Sequence, residues 1–427
     1  YAVIIKKPEE IKFHLEKAIH EASIGRPGPV WLDIPFDIQA KEINPDNLNG
    51  FNVDSKSIDL SVPKINEVMS LIYGSKKPLI VFGQGIRNSG AIEELESFLK
   101  TYKMPAICSR MALDILPYEN PYFFGMGGMR GNKAASILMN EADTIVILGS
   151  SFTHAYAGDA YDSYNQDAKL VMVNLDNSEA NKPGLKVDIT LNVDVKEFLK
   201  AANSLYKKNN STFFKWLSRS KYLHKNLPSV NDSMAKNPIN SYYFVECLNK
   251  VSKENHIFVN DAGSSNYICS QALKLKKGQR ELTSGAFYSM GIALPLAIGA
   301  SVTEKSAQVI AIIGDGSIEL NIQELRTLSQ NNLDIKLFII NNGGYASIRK
   351  SQDEIVGGGR YTDDDEVLNF KNVALAFELN FEILDNYETL TEKLKEILSI
   401  KGPTLIEVVC DSKQEIIEPF HLKYPIK

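Results

Sequence analysis

From residue 8 to residue 23 apolar side chains recur near a 3.6-residue period, with Ile11, Leu15, Ala18, Ile19 and Ala22 on one face, which predicts a helix. The run Gly25-Arg26-Pro27-Gly28-Pro29 ends it, and Val30-Trp31-Leu32-Asp33-Ile34-Pro35 reads as a buried strand. A helix and a strand of ~40 residues cannot bury their apolar faces alone, so the pair needs a covering layer. A polar linker at about 40–62 leads to a second unit whose apolar runs, 78–83, 106–108, 144–149 and 170–174, alternate with helical stretches such as 89–102. A second stretch rich in Lys, Asn and Ser, about 203–237, reads as a linker with a helical portion. From Ile239 a third unit repeats the alternation, with strands at 257–260, 309–313, 337–340 and 404–409. Strands that are continuously apolar and separated by helices predict parallel sheets covered on both faces, an α/β fold. No short-period solenoid repeat occurs.

The chain has 427 residues, and at ~150 residues per domain that length suggests about three domains. The pattern gives two doubly wound parallel-sheet units, 60–203 and 238–427, and leaves the helix–strand pair within 1–45 either docked on the rest of the chain or without its partners. A hydrophobic fraction of 44% with 23% charged residues excludes a disordered or collagen-like chain. Net charge is −5 and no basic block stands out, so the footprint of a nucleic-acid partner is missing. No apolar run reaches ~18 residues, so no membrane-spanning helix is expected. Cys108, Cys247, Cys269 and Cys410 are widely spaced and fit no zinc or redox pattern, which predicts reduced thiols and a cytoplasmic protein. Tyr1 is not an initiator Met and no signal segment follows it, so the chain is expected to begin inside a domain.

The strongest chemical signal lies in the third unit. The strand at 309–313 runs into Gly314-Asp315-Gly316-Ser317, and the strand at 337–340 runs into Asn341-Asn342. In a parallel sheet, ligands bind beyond the carboxyl ends of the strands. Asp315 and Asn342 supply hard oxygen ligands there and the carbonyl of Gly344 a third, a set that suits Mg²⁺ with water and phosphate oxygens completing it. Gly314 and Gly316 let backbone N–H groups approach a diphosphate. Either piece alone reads as an ordinary turn or loop; the specificity lies in the pair. The turn Gly83-Gln84-Gly85-Ile86-Arg87-Asn88 begins like a dinucleotide fingerprint but has Asn88 in place of the third glycine, so a tight strand-to-helix turn is the preferred reading.

Gly-Asp-Gly-x24-Asn-Asn resembles the metal and diphosphate motif of thiamine-diphosphate-dependent enzymes. Other segments are similar to their acetolactate synthase/pyruvate oxidase-like branch, whose large subunits are catalytic: 282–295, Asn321-Ile322-Gln323-Glu324-Leu325, Arg360-Tyr361, 78–90, Gly128-Met129-Arg130-Gly131, Asn140-Glu141-Ala142-Asp143 and 26–35. The resemblance covers nearly the whole chain and implies two complete doubly wound parallel-sheet domains plus, at 1–45, the C-terminal remnant of a third, pyrimidine-binding one. It implies that Asp315 and Asn342 bind Mg²⁺ through side chains and Gly344 through its carbonyl. Gly314, Gly316, Ser317, Ala346 and Ser347 then belong to the cofactor-binding set, with Gly263, Ser264 and Ser265 contacting the diphosphate from a neighbouring loop. Met290 matches the apolar residue that wedges between the two cofactor rings, although a buried Met is otherwise plain core. The implied reaction decarboxylates a 2-oxo acid, with pyruvate the usual donor in this branch, and passes the two-carbon unit to an acceptor. Sites shared between subunits imply a homodimer or homotetramer.

The departures from the pattern carry their own expectations. The glutamate that serves the aminopyrimidine ring is expected upstream of Tyr1, while Glu9, Glu10 and Glu16 read as a solvated helix face. FAD-binding members show Gly-x-Arg-Phe-Asp-Asp where this chain has Gly149-Ser150-Ser151-Phe152-Thr153-His154, and Asn174 replaces an acid, so FAD is left open but disfavoured. His154 reads as a substrate ligand or, preferably, a surface residue. Ser351 stands near where biosynthetic relatives carry Trp, which favours a different, bulkier acceptor. Arg349 is read as pairing with an acidic acceptor group or as solvating a helix face. Gly357-Gly358-Gly359 and the tail 415–427 read as a lid or as plain loop and terminus. Two other functional readings stand beside the enzyme: a catalytically incomplete cofactor-binding subunit or related decarboxylase/lyase, and a nucleotide-binding module built on 83–90.

Overall fold

Aliphatic runs form the strands, and every strand pairing is parallel among the described residues of the computed structural model, which are 1–53, 62–157, 161, 165, 167–205, 213–357 and 367–418. β1 (Ala2–Ile4) and β2 (Trp31–Asp33) make a two-stranded sheet, with the predicted helix running from Ile11 to Ser23 between them. The central sheet holds β3 (Pro78–Phe82), β4 (Ala106–Cys108), β5 (Phe123–Met126), β6 (Thr144–Leu148), β7 (Lys169–Val173) and β8 (Ile189–Leu191) in the order β5-β4-β3-β6-β7-β8. The third sheet holds β9 (Ile257–Asn260), β10 (Arg280–Leu282), β11 (Val309–Gly314), β12 (Ile335–Asn341), β13 (Asn380–Leu384) and β14 (Thr404–Val409) in the order β10-β9-β11-β12-β14-β13. The α/β expectation with two doubly wound sheets is therefore met.

β3 and β6 are buried along their whole length, as parallel strands covered on both faces must be. One core cluster runs through both large sheets, from Ile80 and Phe82 in the central one to Phe258 and Phe338 in the third. The two sheets also meet at a polar joint. Arg110, just past β4, donates to both carboxylate oxygens of Glu281 on β10, at 2.7 and 2.5 Å, and to Asn266 at 3.1 Å, all three side chains being buried. Asp114 pairs with Arg87 at 2.9 Å and Arg280 at 2.6 Å. Such a pair fixes two bodies in one orientation, because separating it strands a charge.

Two expectations need correction. β2 is not a buried strand: Trp31 is 71% exposed, because β2 pairs with β1 alone and the sheet has no covering layer on that face among the described residues. The stretch 203–237 is not all linker. Its helix Phe214–Asn226 buries Trp216, Leu217 and Leu223 in the core on one face of the central sheet, and the Trp216 indole donates to the Pro78 carbonyl at 2.9 Å. β5, β8 and β10 do not show as apolar runs because a glycine or a polar residue interrupts each, Gly125 in β5, Thr190 in β8, and Arg280 and Glu281 in β10. Glu16 faces the chain rather than only solvent, accepting from the Phe51 amide at 2.7 Å. No helix among the described residues is long and apolar enough to cross a membrane.

Candidate functional site

Strand register brings the chemistry to one edge. Gly314 of β11 pairs with Ile340 of β12, and Ile312 pairs with Asn260 of β9, so the residues after these three strands emerge side by side. Asp315 follows β11 directly and is buried. One oxygen of its carboxylate accepts from the Gly316 amide at 2.8 Å; the other accepts from the amides of Asn342 and Gly344, each at 2.9 Å. Burial pushes the Asp315 pKa up, while the amides of Gly344, Gly316, Asn342 and Gly343 pull the other way. The amides hold the carboxylate as a fixed, acceptor-only group at the strand edge, the kind of hard oxygen ligand a divalent cation takes.

The loop that carries those amides is shaped by Gly343 and Gly344, whose φ values of 76° and 90° suit glycine. The Asn342 amide nitrogen donates to the Ser264 hydroxyl at 3.3 Å, leaving its amide oxygen as a ligand. The Gly344 carbonyl accepts from the Ala346 amide at 2.8 Å and keeps its second lone pair. Arg349 lines the same cleft as Asn342 and Ser347. It turns back onto the loop, donating to the carbonyls of Gly343 and, at 3.0 Å, Asn342.

Beside the loop, the helices Gly263–Ala272 and Ala346–Val356 point their N-termini at one cleft of about 510 Å³, lined by Ser264, Asn342, Ala346 and Ser347. Helix N-termini favour anions. The Ser347 hydroxyl is buried without a hydrogen-bond partner, so it offers a donor that a phosphate oxygen satisfies. Gly316 has no room for a side chain, since a Cβ there would lie 2.8 Å from the Tyr345 ring. The structure thus gathers Gly263, Ser264, Gly314, Asp315, Gly316, Ser317, Asn342, Gly344, Ala346 and Ser347 around one edge. It does not bring every expected group there. The Ser265 hydroxyl turns inward to the Ala262 carbonyl at 2.8 Å, and Met290 lies outside the lining of this cleft, 36% exposed.

Sequence reasoning missed two residues. Arg130 reaches the same cleft from the central unit, its guanidinium over the Tyr267 ring at 4.7 Å and paired with Glu418 at 2.9 Å. Asp261, buried at the end of β9, holds the segment after Met290. Its signal was present: like Asp315, it is a carboxylate one residue past an apolar strand. Among the described residues no group of three or more His, Cys, Asp or Glu assembles for a metal; the candidate set is one carboxylate, one amide oxygen and one carbonyl.

A second cleft, about 430 Å³, opens past β3 and β6. Its glycine turn is spent on backbone packing: the Gly85 amide donates to the Gly149 carbonyl at 2.9 Å. On one side Arg26 pairs with Glu179 and, at 2.9 Å, with Asp176, and Ser151 donates to Glu179 at 2.8 Å. Burial alone would raise the Glu179 carboxyl, yet hydrogen bonds from Lys182, Ser151 and Arg26 hold it below its usual range. Asn174 donates to the Ser150 carbonyl at 3.2 Å, and His154 is exposed with its ring 4.3 Å from that of Tyr161. Gly358, Gly359, Arg360, Tyr361 and the tail 419–427 lie outside the described residues.

A sequence model described as thiamine pyrophosphate enzyme, C-terminal TPP binding domain, matches residues 261–408, and one described as thiamine pyrophosphate enzyme, central domain, matches 65–202. The acetolactate synthase isozyme 1 large subunit of Escherichia coli is 28% identical over 414 residues, covering 97% of this chain and 72% of that protein. The probable acetolactate synthase large subunit of Methanocaldococcus jannaschii is 31% identical over 432 residues, covering 96% and 71%. The acetolactate synthase large subunit of Lactococcus lactis is 28% identical over 423 residues, covering 98% and 72%. With a carboxylate, an amide and two helix N-termini converging inside the matched C-terminal region, the chain belongs to the thiamine pyrophosphate enzyme family, in its acetolactate synthase-like branch.

Proposed function

We propose that this thiamine-diphosphate-dependent enzyme uses Mg²⁺, takes pyruvate as its 2-oxo acid donor, and transfers the two-carbon unit to a carbonyl acceptor. The observation that carries the reading is the buried Asp315 carboxylate, held by loop amides at the strand edge beside Asn342. Hard oxygen donors of this kind suit Mg²⁺ that also holds phosphate oxygens. Asp315, the Asn342 side chain and the Gly344 carbonyl would hold the cation. Gly314, Gly316, Ser317, Ala346 and Ser347 would orient the diphosphate, together with Gly263, Ser264 and the backbone N–H of Ser265. Met290 would press on the cofactor rings. Thiamine diphosphate, when bound, supplies the nucleophilic carbon and the electron sink for decarboxylation. The chain's residues bind and orient it.

The same reading divides the chain into a pyrimidine-domain remnant at 1–45, a central domain at 60–203 and a diphosphate- and Mg²⁺-binding domain at 238–427. A homodimer or homotetramer is part of the proposal; the relatives are named as large subunits, proteins that work in assemblies. A cytoplasmic setting is supported by four buried cysteines, none in a disulfide. FAD is left out, since the segment 149–154 lacks the arginine and acids of the FAD-binding pattern.

The test supplies the full-length protein with thiamine diphosphate, MgCl₂ and pyruvate, and measures CO₂ release and acetolactate. Pyruvate consumption with an acyloin product is the expected result. Tight cofactor binding without pyruvate consumption would instead identify a cofactor-binding subunit, and binding that survives Asp315→Ala would displace the site itself.

A further inference from the structure

Residues 284–292 connect β10 to the helix Ala293–Thr303 and carry Met290. Its tip is exposed, with Phe287 at 88%, and an exposed loop ordinarily leaves its side chains loosely placed. Here Tyr288 packs against the Tyr267 ring at 6.0 Å, and the end of the segment is fastened through its backbone. The Gly291 amide donates to one oxygen of Asp261 at 3.2 Å, and the Ala293 amide to the other at 2.9 Å. The Gly291 carbonyl accepts from the Asn321 side chain at 3.0 Å. Both backbone polar groups of the residue after Met290 are therefore held by side chains from elsewhere.

The two anchors come from the two arms of the cofactor site. Asp261 lies at the end of β9, two residues before Gly263, and is fully buried. Asn321 lies four residues past Ser317, in the 3₁₀ segment Glu319–Glu324, where its non-helical backbone (φ −137°, ψ 27°) interrupts the turn. Gly291 itself has φ 77°, and a Cβ there would lie 3.0 Å from the Asn321 amide nitrogen, the Leu320 Cβ and the Ser317 carbonyl. The backbone next to Met290 is thus pressed against the segment trailing the Gly-Asp-Gly motif, and it can move only if that contact opens.

We propose that Asp261 and Asn321 are positioning residues for Met290: they couple its backbone to the strand ends that hold the diphosphate and the metal, so that the thioether is presented from a fixed point although its own side chain is half exposed. This rests on the reading of Met290 as a cofactor contact. Capping of the helix Ala293–Thr303 by Asp261 alone is the competing explanation, and it predicts an effect on stability without one specific to Met290.

A double-mutant cycle separates the two. Thiamine diphosphate affinity, with MgCl₂ present, is measured on the full-length protein, Asn321→Ala, Met290→Ala and the double variant; Asn321 is only half-buried, so its removal leaves the fold intact where Asp261→Asn endangers it. Asn321→Ala is expected to weaken binding about tenfold, the lower end for loss of a supporting partner, and to have less than about a twofold effect once Met290 is gone. Amide exchange at Gly291 in the cofactor-free protein is expected to speed up in Asn321→Ala. Additive effects, or unchanged affinity in Asn321→Ala while Met290→Ala weakens binding, overturn the positioning assignment alone. Unchanged affinity in Met290→Ala overturns the reading of Met290 and the assignment with it.

Discussion

In the central sheet the turns after β3 and β6 meet glycine to glycine, whereas in the third sheet the ends of β9, β11 and β12 meet around a buried carboxylate. Both places lie at the carboxyl edge of a parallel sheet, where such folds bind ligands. A Cβ on Gly83 would sit 2.4 Å from the Gly149 carbonyl oxygen and 2.6 Å from the Ser150 Cα, so glycine is required there by backbone approach. A Cβ on Gly263 would meet nothing nearer than the Ser347 hydroxyl at 3.8 Å, so glycine is required there by its φ of 62°. Glycine at a strand end therefore signals two different things, and an acid beside it separates them. Gly83-Gln84-Gly85 has no acid at its turn; Gly314-Asp315-Gly316 has one within it.

The comparison depends on the two sheets being held in one orientation, and the largest expected effect tests that. Arg110→Ala leaves Glu281 buried without its cation and should cost about 3–5 kcal/mol in urea unfolding. Replacing both partners by apolar residues should recover most of that loss. If the single variant unfolds like the parent, the joint does not hold the sheets. Next in size, Gly83→Ala should lower stability by up to about 3 kcal/mol through overpacking against rigid backbone. Gly263→Ala should cost only about 1–2 kcal/mol, the penalty of the left-handed backbone, while weakening thiamine diphosphate binding. Equal stability losses at the two glycines, or unchanged cofactor affinity in Gly263→Ala, would remove the distinction drawn between the two edges.

Much of this was legible in the sequence because long, wholly buried parallel strands are apolar throughout: β3, β6, β11 and β12 announce themselves. Gly-Asp-Gly and Asn-Asn were legible for the same reason, since each follows such a strand. What escaped was set by tertiary context. β2 is apolar yet exposed because its sheet has only two strands, and the helix Phe214–Asn226 hides three core residues in a polar composition. The bonds from Arg349 to the Gly343 and Asn342 carbonyls leave no mark in a sequence, because backbone groups carry no residue signature. Asp261 and Arg110 were passed over because their partners lie 30 residues and 171 residues away.

The central claim is that Asp315 anchors the cofactor through a divalent cation. Its most direct test is a calorimetric titration of thiamine diphosphate into the full-length protein and into Asp315→Asn, each with MgCl₂ and with EDTA. Binding to the parent should require Mg²⁺, and Asp315→Asn, which removes a proposed ligand of the cation, should weaken it by more than the roughly 10–100-fold that loss of an outer supporting group costs. Affinity within twofold of the parent in Asp315→Asn, or binding indifferent to Mg²⁺, would contradict the account.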